Sequence, residues 1–198
     1  MQLTQRARRT IALAVVPTAV LASGLIIAQA SYAAFSATTS NAPNSWSAGS
    51  VALSDDDSDT ALFTATGLKP GDSQTSCIVV TSTGSLPSTV KLYGTSPATT
   101  NALSSSLNVS ITQGTGGTFG NCSGFTPLPS GAMVWSGTLA DFGTTATKAS
   151  NGVGTWRTAG GSPESRTYQM TVALDPATPN SAQNGTARIG FTWEAQSS

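Results

Sequence analysis

Short stretches of alternating apolar and polar residues recur along this chain, each closed by a cluster of turn-forming residues. Val90, Leu92 and Gly94 alternate with Lys91 and Tyr93; Leu107, Val109 and Ile111 with Asn108 and Ser110; Met170, Val172 and Leu174 with Gln169, Thr171 and Ala173. A period of two sends one set of side chains to a core and the other to water, which is the pattern of a strand with one buried face. On this basis strands are predicted at 50–53, 61–66, 76–82, 89–93, 107–112, 134–139, 166–174 and 186–193. Breakers separate them at 67–72, 84–87, 114–124, 150–154, 159–165 and 175–185, where Gly, Pro, Asn, Asp and Ser concentrate. A brief helical turn is predicted at 98–105, with Pro97 at its start. No amphipathic helix stands out elsewhere in the exported part. Many short strands at such spacing predict an all-β fold, an antiparallel jelly-roll-like β-sandwich with short helical turns.

The N-terminus follows a different pattern. Arg6, Arg8 and Arg9 precede an uncharged apolar stretch at 11–27, and small residues follow in Ala28-Gln29-Ala30 and Ser31-Tyr32-Ala33. This is the layout of a helical secretory signal peptide, cut between Ala33 and Ala34, with Ala30 the second choice. The alternative is an uncleaved anchor, since the apolar stretch nears the length of a membrane span; Pro17 and Gly24 interrupt it. Either way the positive charge stays inside and the remainder is exported, so the protein is expected to be secreted, extracellular or held at the cell surface. Three regions are therefore predicted: a signal peptide at 1–33, an extended segment at 34–45 and a β-sandwich domain at 46–198. Removing residues 1–33 from the 198 leaves 165, enough for one core.

Composition narrows the function. The mature chain keeps six bases against nine acids, a net charge of −3, so nothing draws it to nucleic acid or, after cleavage, to a membrane. Charged residues are 9% of the chain, against about 25% in ordinary soluble domains, and so sparse a surface charge favours self-association. There is no histidine, which removes Ser-His-Asp and Cys-His catalysis and the usual imidazole metal ligands. No cofactor and no enzymatic activity are expected. Carboxylate pairs are the remaining catalytic route, and Glu194 beside Trp193 is the one acid next to a large aromatic; a sheet-edge or solvated carboxylate is the preferred reading of it.

Cys77 and Cys122 are the only cysteines. Outside the cell they are expected to join as a staple, and closing a loop of about 46 residues is worth on the order of 4 kcal/mol in the chain-entropy treatment. Asp55, Asp57 and Asp59 alternate as calcium-loop ligands do, but Thr60 and Thr66 stand where such a loop needs Gly and Glu. They are a weak Ca²⁺ candidate beside the simpler reading of a solvated turn. Trp46, Trp135, Trp156 and Trp193 are either core residues or the platform of a carbohydrate-binding module.

Several segments together resemble the TasA/camelysin family of secreted bacterial proteins, in its actinobacterial form. They are Ala34-Phe35-Ser36-Ala37-Thr38-Thr39-Ser40-Asn41, Gly67-Leu68-Lys69-Pro70-Gly71-Asp72-Ser73, Thr83-Gly84-Ser85-Leu86-Pro87 leading to Val90-Lys91-Leu92-Tyr93, and Phe191-Thr192-Trp193-Glu194-Ala195. The resemblance implies a jelly roll, export through a dedicated signal peptidase and, as in the biofilm-matrix members, polymerisation into extracellular fibres by N-terminal strand donation. The partner would then be another copy of the chain, and Ala34, Phe35, Ser36, Ala37, Thr38, Thr39 and Ser40 the donor strand. The camelysin branch is classed as metallopeptidases, a role that sits poorly with a chain lacking histidine. A monomeric adhesin or carbohydrate-binding module is the alternative from a different class.

Overall fold

The structure is a computed structural model and describes residues 48–197. The signal segment, the cleavage residues Ala33 and Ala34, the donor segment 34–40 and Trp46 lie outside the described residues.

Among the described residues nine strands form two antiparallel sheets. They are β1 (Leu53–Asp55), β2 (Ser73–Ser82), β3 (Ser88–Thr99), β4 (Leu107–Thr115), β5 (Thr126–Pro127), β6 (Met133–Thr138), β7 (Val153–Thr158), β8 (Glu164–Leu174) and β9 (Ala187–Ser197). The larger sheet runs β1-β2-β8-β4-β5, with β6 also pairing β4; the smaller runs β7-β3-β9. The three long alternating stretches of the sequence became β3, β4 and β8, and their apolar sets point inward. Val90, Leu92, Val109, Ile111, Met170 and Leu174 are buried together with Ile78, Val80, Trp156 and Tyr168 in one cluster between the sheets. Each such side chain contributes about 1.5–3 kcal/mol by leaving water, so the arrangement is sandwich-like because neither sheet can hide its apolar face alone.

Four expectations are corrected. The stretch 61–66 is not a strand: the chain leaves the sheet after Asp55, and Leu62 and Phe63 pack on the core margin without joining a ladder. The strand expected at 50–53 is shifted to Leu53–Asp55, although Ser50 still accepts backbone bonds from Ser85 and Leu86. The helical turn at 98–105 shrinks to Leu103–Ser105, because Ala98 and Thr99 continue β3 and pair with Arg188 and Ala187. The breaker at 150–154 in fact opens β7: Gly154 adopts a positive φ of 90°, and the pairing with β3 shifts register beside it, so glycine here marks a bulge within a strand.

A short helix, α1 (Leu139–Thr145), also follows β6. The Thr138 hydroxyl accepts from the Asp141 amide at 3.0 Å and donates to its carboxylate at 2.8 Å, capping the first turn. Leu139 and Phe142, three residues apart, face the core, and Phe142 meets Trp135 edge-on at 5.2 Å and Phe191 at 5.5 Å.

Tyr168 is the largest fully buried side chain. Burial pushes its phenol well above the ordinary value, opposed by the Arg166 charge and the Trp193 indole. The unfolded chain ionises this group near pH 10, whereas the folded chain keeps it neutral. The stabilisation is therefore complete below about pH 10 and is lost as pH rises from there toward the folded-state value. Urea unfolding at pH 8 and pH 11 is expected to show a steep alkaline loss of stability in the natural protein and a shallower one in Tyr168→Phe.

Candidate assembly edge

Two seams close the space between the sheets. At one, β6 meets β7, with Val134 Cγ1 only 3.7 Å from where a Cβ on Gly154 would stand. At the other, β1 of the larger sheet faces β9 of the smaller. Here a cavity of about 190 Å³ opens, lined by Leu53, Asp55 and Val80 on one side and Phe191, Thr192 and Trp193 on the other.

The backbone along this second seam is the main feature. In an antiparallel strand, alternate residues turn both amide groups to the same side. Gly94 N–H donates to Ala146 O, on the β7 side of β3, and Leu92 O likewise lies against Gly152 at the start of β7. That parity, with the register Tyr93↔Thr192 and Lys91↔Glu194, directs Gly190, Thr192, Glu194 and Gln196 toward β3. The N–H and C=O groups of Phe191, Trp193 and Ala195 consequently point out of the sheet, and nothing among the described residues pairs with them. Their side chains lean inward; Trp193 stacks at a tilt on Tyr168, 5.2 Å between centroids. An 11-residue edge strand with half-buried aromatics beneath it is what an added strand needs: backbone bonds for affinity and pockets for alternate side chains.

The edge of β2, which β1 covers in part on the same seam, is treated differently. Its odd-numbered residues face away from β8. Thr83 N–H reaches Ala52 O, Val79 N–H donates to Asp56 Oδ1 at 2.8 Å, and Cys77 O accepts from Gly120 N–H at 2.9 Å. Asp56 Oδ2 accepts from Phe119 N–H at 2.8 Å. Cys77 and Cys122 form the expected disulfide, with Cα atoms 5.2 Å apart.

The other sequence candidates resolve into local roles. Asp55 Oδ1 accepts from Asp57 N–H and Asp57 Oδ1 from Asp59 N–H, the bonding of a tight turn. Partial burial, and next Asp57, push the Asp55 carboxyl up. Among the described residues no group of three His, Cys, Asp or Glu side chains is gathered as a metal would require. Glu194 accepts from the Tyr93 hydroxyl at 2.8 Å and from Gln196 at 3.0 Å, on the outer face of the smaller sheet. Trp156 is buried, and Trp135 and Trp193 are half-buried against the core, so these three do not form an exposed platform. A larger cavity of about 410 Å³ lies by Leu68, Pro70, Leu103, Leu174 and Pro179, and its lining carries no charged side chain.

Sequence reasoning identified the closing segment Phe191-Thr192-Trp193-Glu194-Ala195 but not its position at an edge. Strand order depends on long-range pairing, which no local pattern encodes. The role of Asp56 was hidden among three similar neighbours.

No protein-family model matches this chain, and no curated protein matches it.

Proposed function

We propose that this chain is a secreted structural protein, a subunit of extracellular fibres or biofilm matrix, and not an enzyme. It is exported by a signal peptidase-cleaved leader, folds as a jelly roll, and assembles with other copies by strand donation. Residues 34–40 of one subunit add to β9 of the next. The outward backbone of Phe191, Trp193 and Ala195 over the open seam carries this reading. Seven extended residues reach about 23 Å, matching the stretch of β9 from residue 189 to 195. Alternation places Phe35, Ala37 and Thr39 on one face, so Phe35 is the side chain that enters between Leu53 and Trp193. The low charge of the surface removes the repulsion that keeps ordinary domains apart.

Deleting residues 34–40 from the mature protein tests the donor role. Electron microscopy is expected to show filaments for the intact chain and none for the truncated one, with circular dichroism unchanged between them. Filaments of equal abundance from the truncated chain would end the proposal.

A further inference from the structure

The geometry points to a built-in guard on the β2 edge: Asp56 and the disulfide-held loop 116–124 occupy the backbone positions that a second incoming strand would use. This goes beyond the assembly reading, and its test separates the two.

Strand β1 covers only the end of β2, pairing Leu53↔Ser82, Ser54↔Thr81 and Asp55↔Val80. Beyond Val80, the outward-facing positions are Val79, Cys77, Thr75 and Ser73. Left open, they would offer seven residues of edge, the same length as the segment 34–40. An exposed edge of that kind recruits other strands unless something blunts it. Two devices interrupt it. At Val79 the ladder's next rung is replaced by a carboxylate oxygen, since Asp56 Oδ1 takes the amide that another strand's carbonyl would take. At Cys77 the carbonyl is taken by Gly120 N–H.

The loop that supplies Gly120 is fixed in three ways. Its Cys122 is bonded to Cys77 itself. Its Phe119 amide is held by the second oxygen of the same Asp56, at 2.8 Å. Its turn closes on Thr118 and Asn121, which exchange both backbone bonds. Gly120 sits at a φ of 73° with no atom within 4 Å of a Cβ position, so glycine serves the backbone turn there, not packing. One carboxylate thus bridges the sheet edge and the loop. One outward backbone group is taken at each of two positions, the amide of Val79 and the carbonyl of Cys77, so an incoming strand would have to displace both Asp56 and the loop that Cys122 fixes before it could complete the ladder there. The consequence is directional: the subunit offers β9 and withholds β2, so assembly proceeds in a line and does not branch.

The test compares the mature protein with Asp56→Ala and with Asp56→Asn. The second keeps one acceptor oxygen and puts a donor where the other was, which covers the case in which the alanine variant fails to fold. Hydrogen exchange at Val79, Phe119 and Gly120 is expected to accelerate by on the order of tenfold or more, because a hydrogen bond to a charged acceptor is among the stronger ones. Electron microscopy is expected to show single filaments for the natural chain and laterally joined or branched ones for the variants. Unchanged exchange at these amides overturns the guard, as does faster exchange with unaltered filaments. Should the natural chain form no filaments, the assembly reading fails while the guard is judged by sedimentation. Oligomers formed only by the variants then uphold it, and monomers throughout overturn it.

Discussion

Phe142→Ala is expected to remove roughly 3–5 kcal/mol of stability, the usual cost of deleting a fully buried aromatic ring. The ring has no exposed surface and sits on α1 where that short helix covers the core, touching Trp135 from β6 and Phe191 from β9. Its neighbours cannot collapse into the space. Trp135 is held in the β4–β6 ladder opposite Ile111, and Phe191 in the β3–β9 ladder opposite Gly94. A helix of seven residues has little stability of its own, so losing its anchor loosens α1 as a whole. For a domain of this size the loss corresponds to a fall in melting temperature of about 6–20 °C. Urea unfolding followed by tryptophan fluorescence checks it. A loss below about 1 kcal/mol would mean that α1 is not part of the core. Because Phe191 belongs to the seam, the same variant is expected to assemble poorly even at temperatures where it remains folded.

Where the sequence was legible, one physical rule was acting without competition. β3, β4 and β8 each bury one face, so their alternation could be read from residues such as Val90, Leu92, Val109, Ile111 and Met170, and the ends of the strands extend beyond the alternating stretch only where partners exist. The cysteine pair was readable for a similar reason, being the only possible pairing. One error falls where a side chain replaced backbone pairing. The stretch at 61–66 has strand-forming residues such as Phe63 and Thr64, yet Asp56 takes the rung that would have carried the chain onward along β2. At 153–158 the glycines concealed a strand: Gly154, Trp156 and Thr158 alternate with Thr155 and Arg157, but Gly152 and Gly154 read as punctuation. For α1 the signal was present in the spacing of Thr138 and Asp141 at its start and of Leu139 and Phe142 on one face, and seven residues are too few for periodicity to stand out. The candidate edge was the least legible feature. Phe191, Trp193 and Ala195 could be read as a strand, but whether a strand lies inside a sheet or at its margin is decided by the order in which distant segments pair.

The proposed assembly depends on β9 accepting a strand from another copy of the chain, and the parity of its backbone gives that pairing a residue-by-residue signature. Residue-resolved hydrogen exchange compares the mature protein in filaments with the chain lacking residues 34–40. Assembly is expected to slow exchange at Phe191, Trp193 and Ala195 by roughly a hundredfold or more, since open edge amides exchange with almost no protection and paired ones only through opening. Thr192 and Glu194, already bonded to β3, are expected to change far less. That odd-even alternation along a single strand is the predicted result; filaments in which Phe191, Trp193 and Ala195 exchange as fast as in the truncated chain would contradict it.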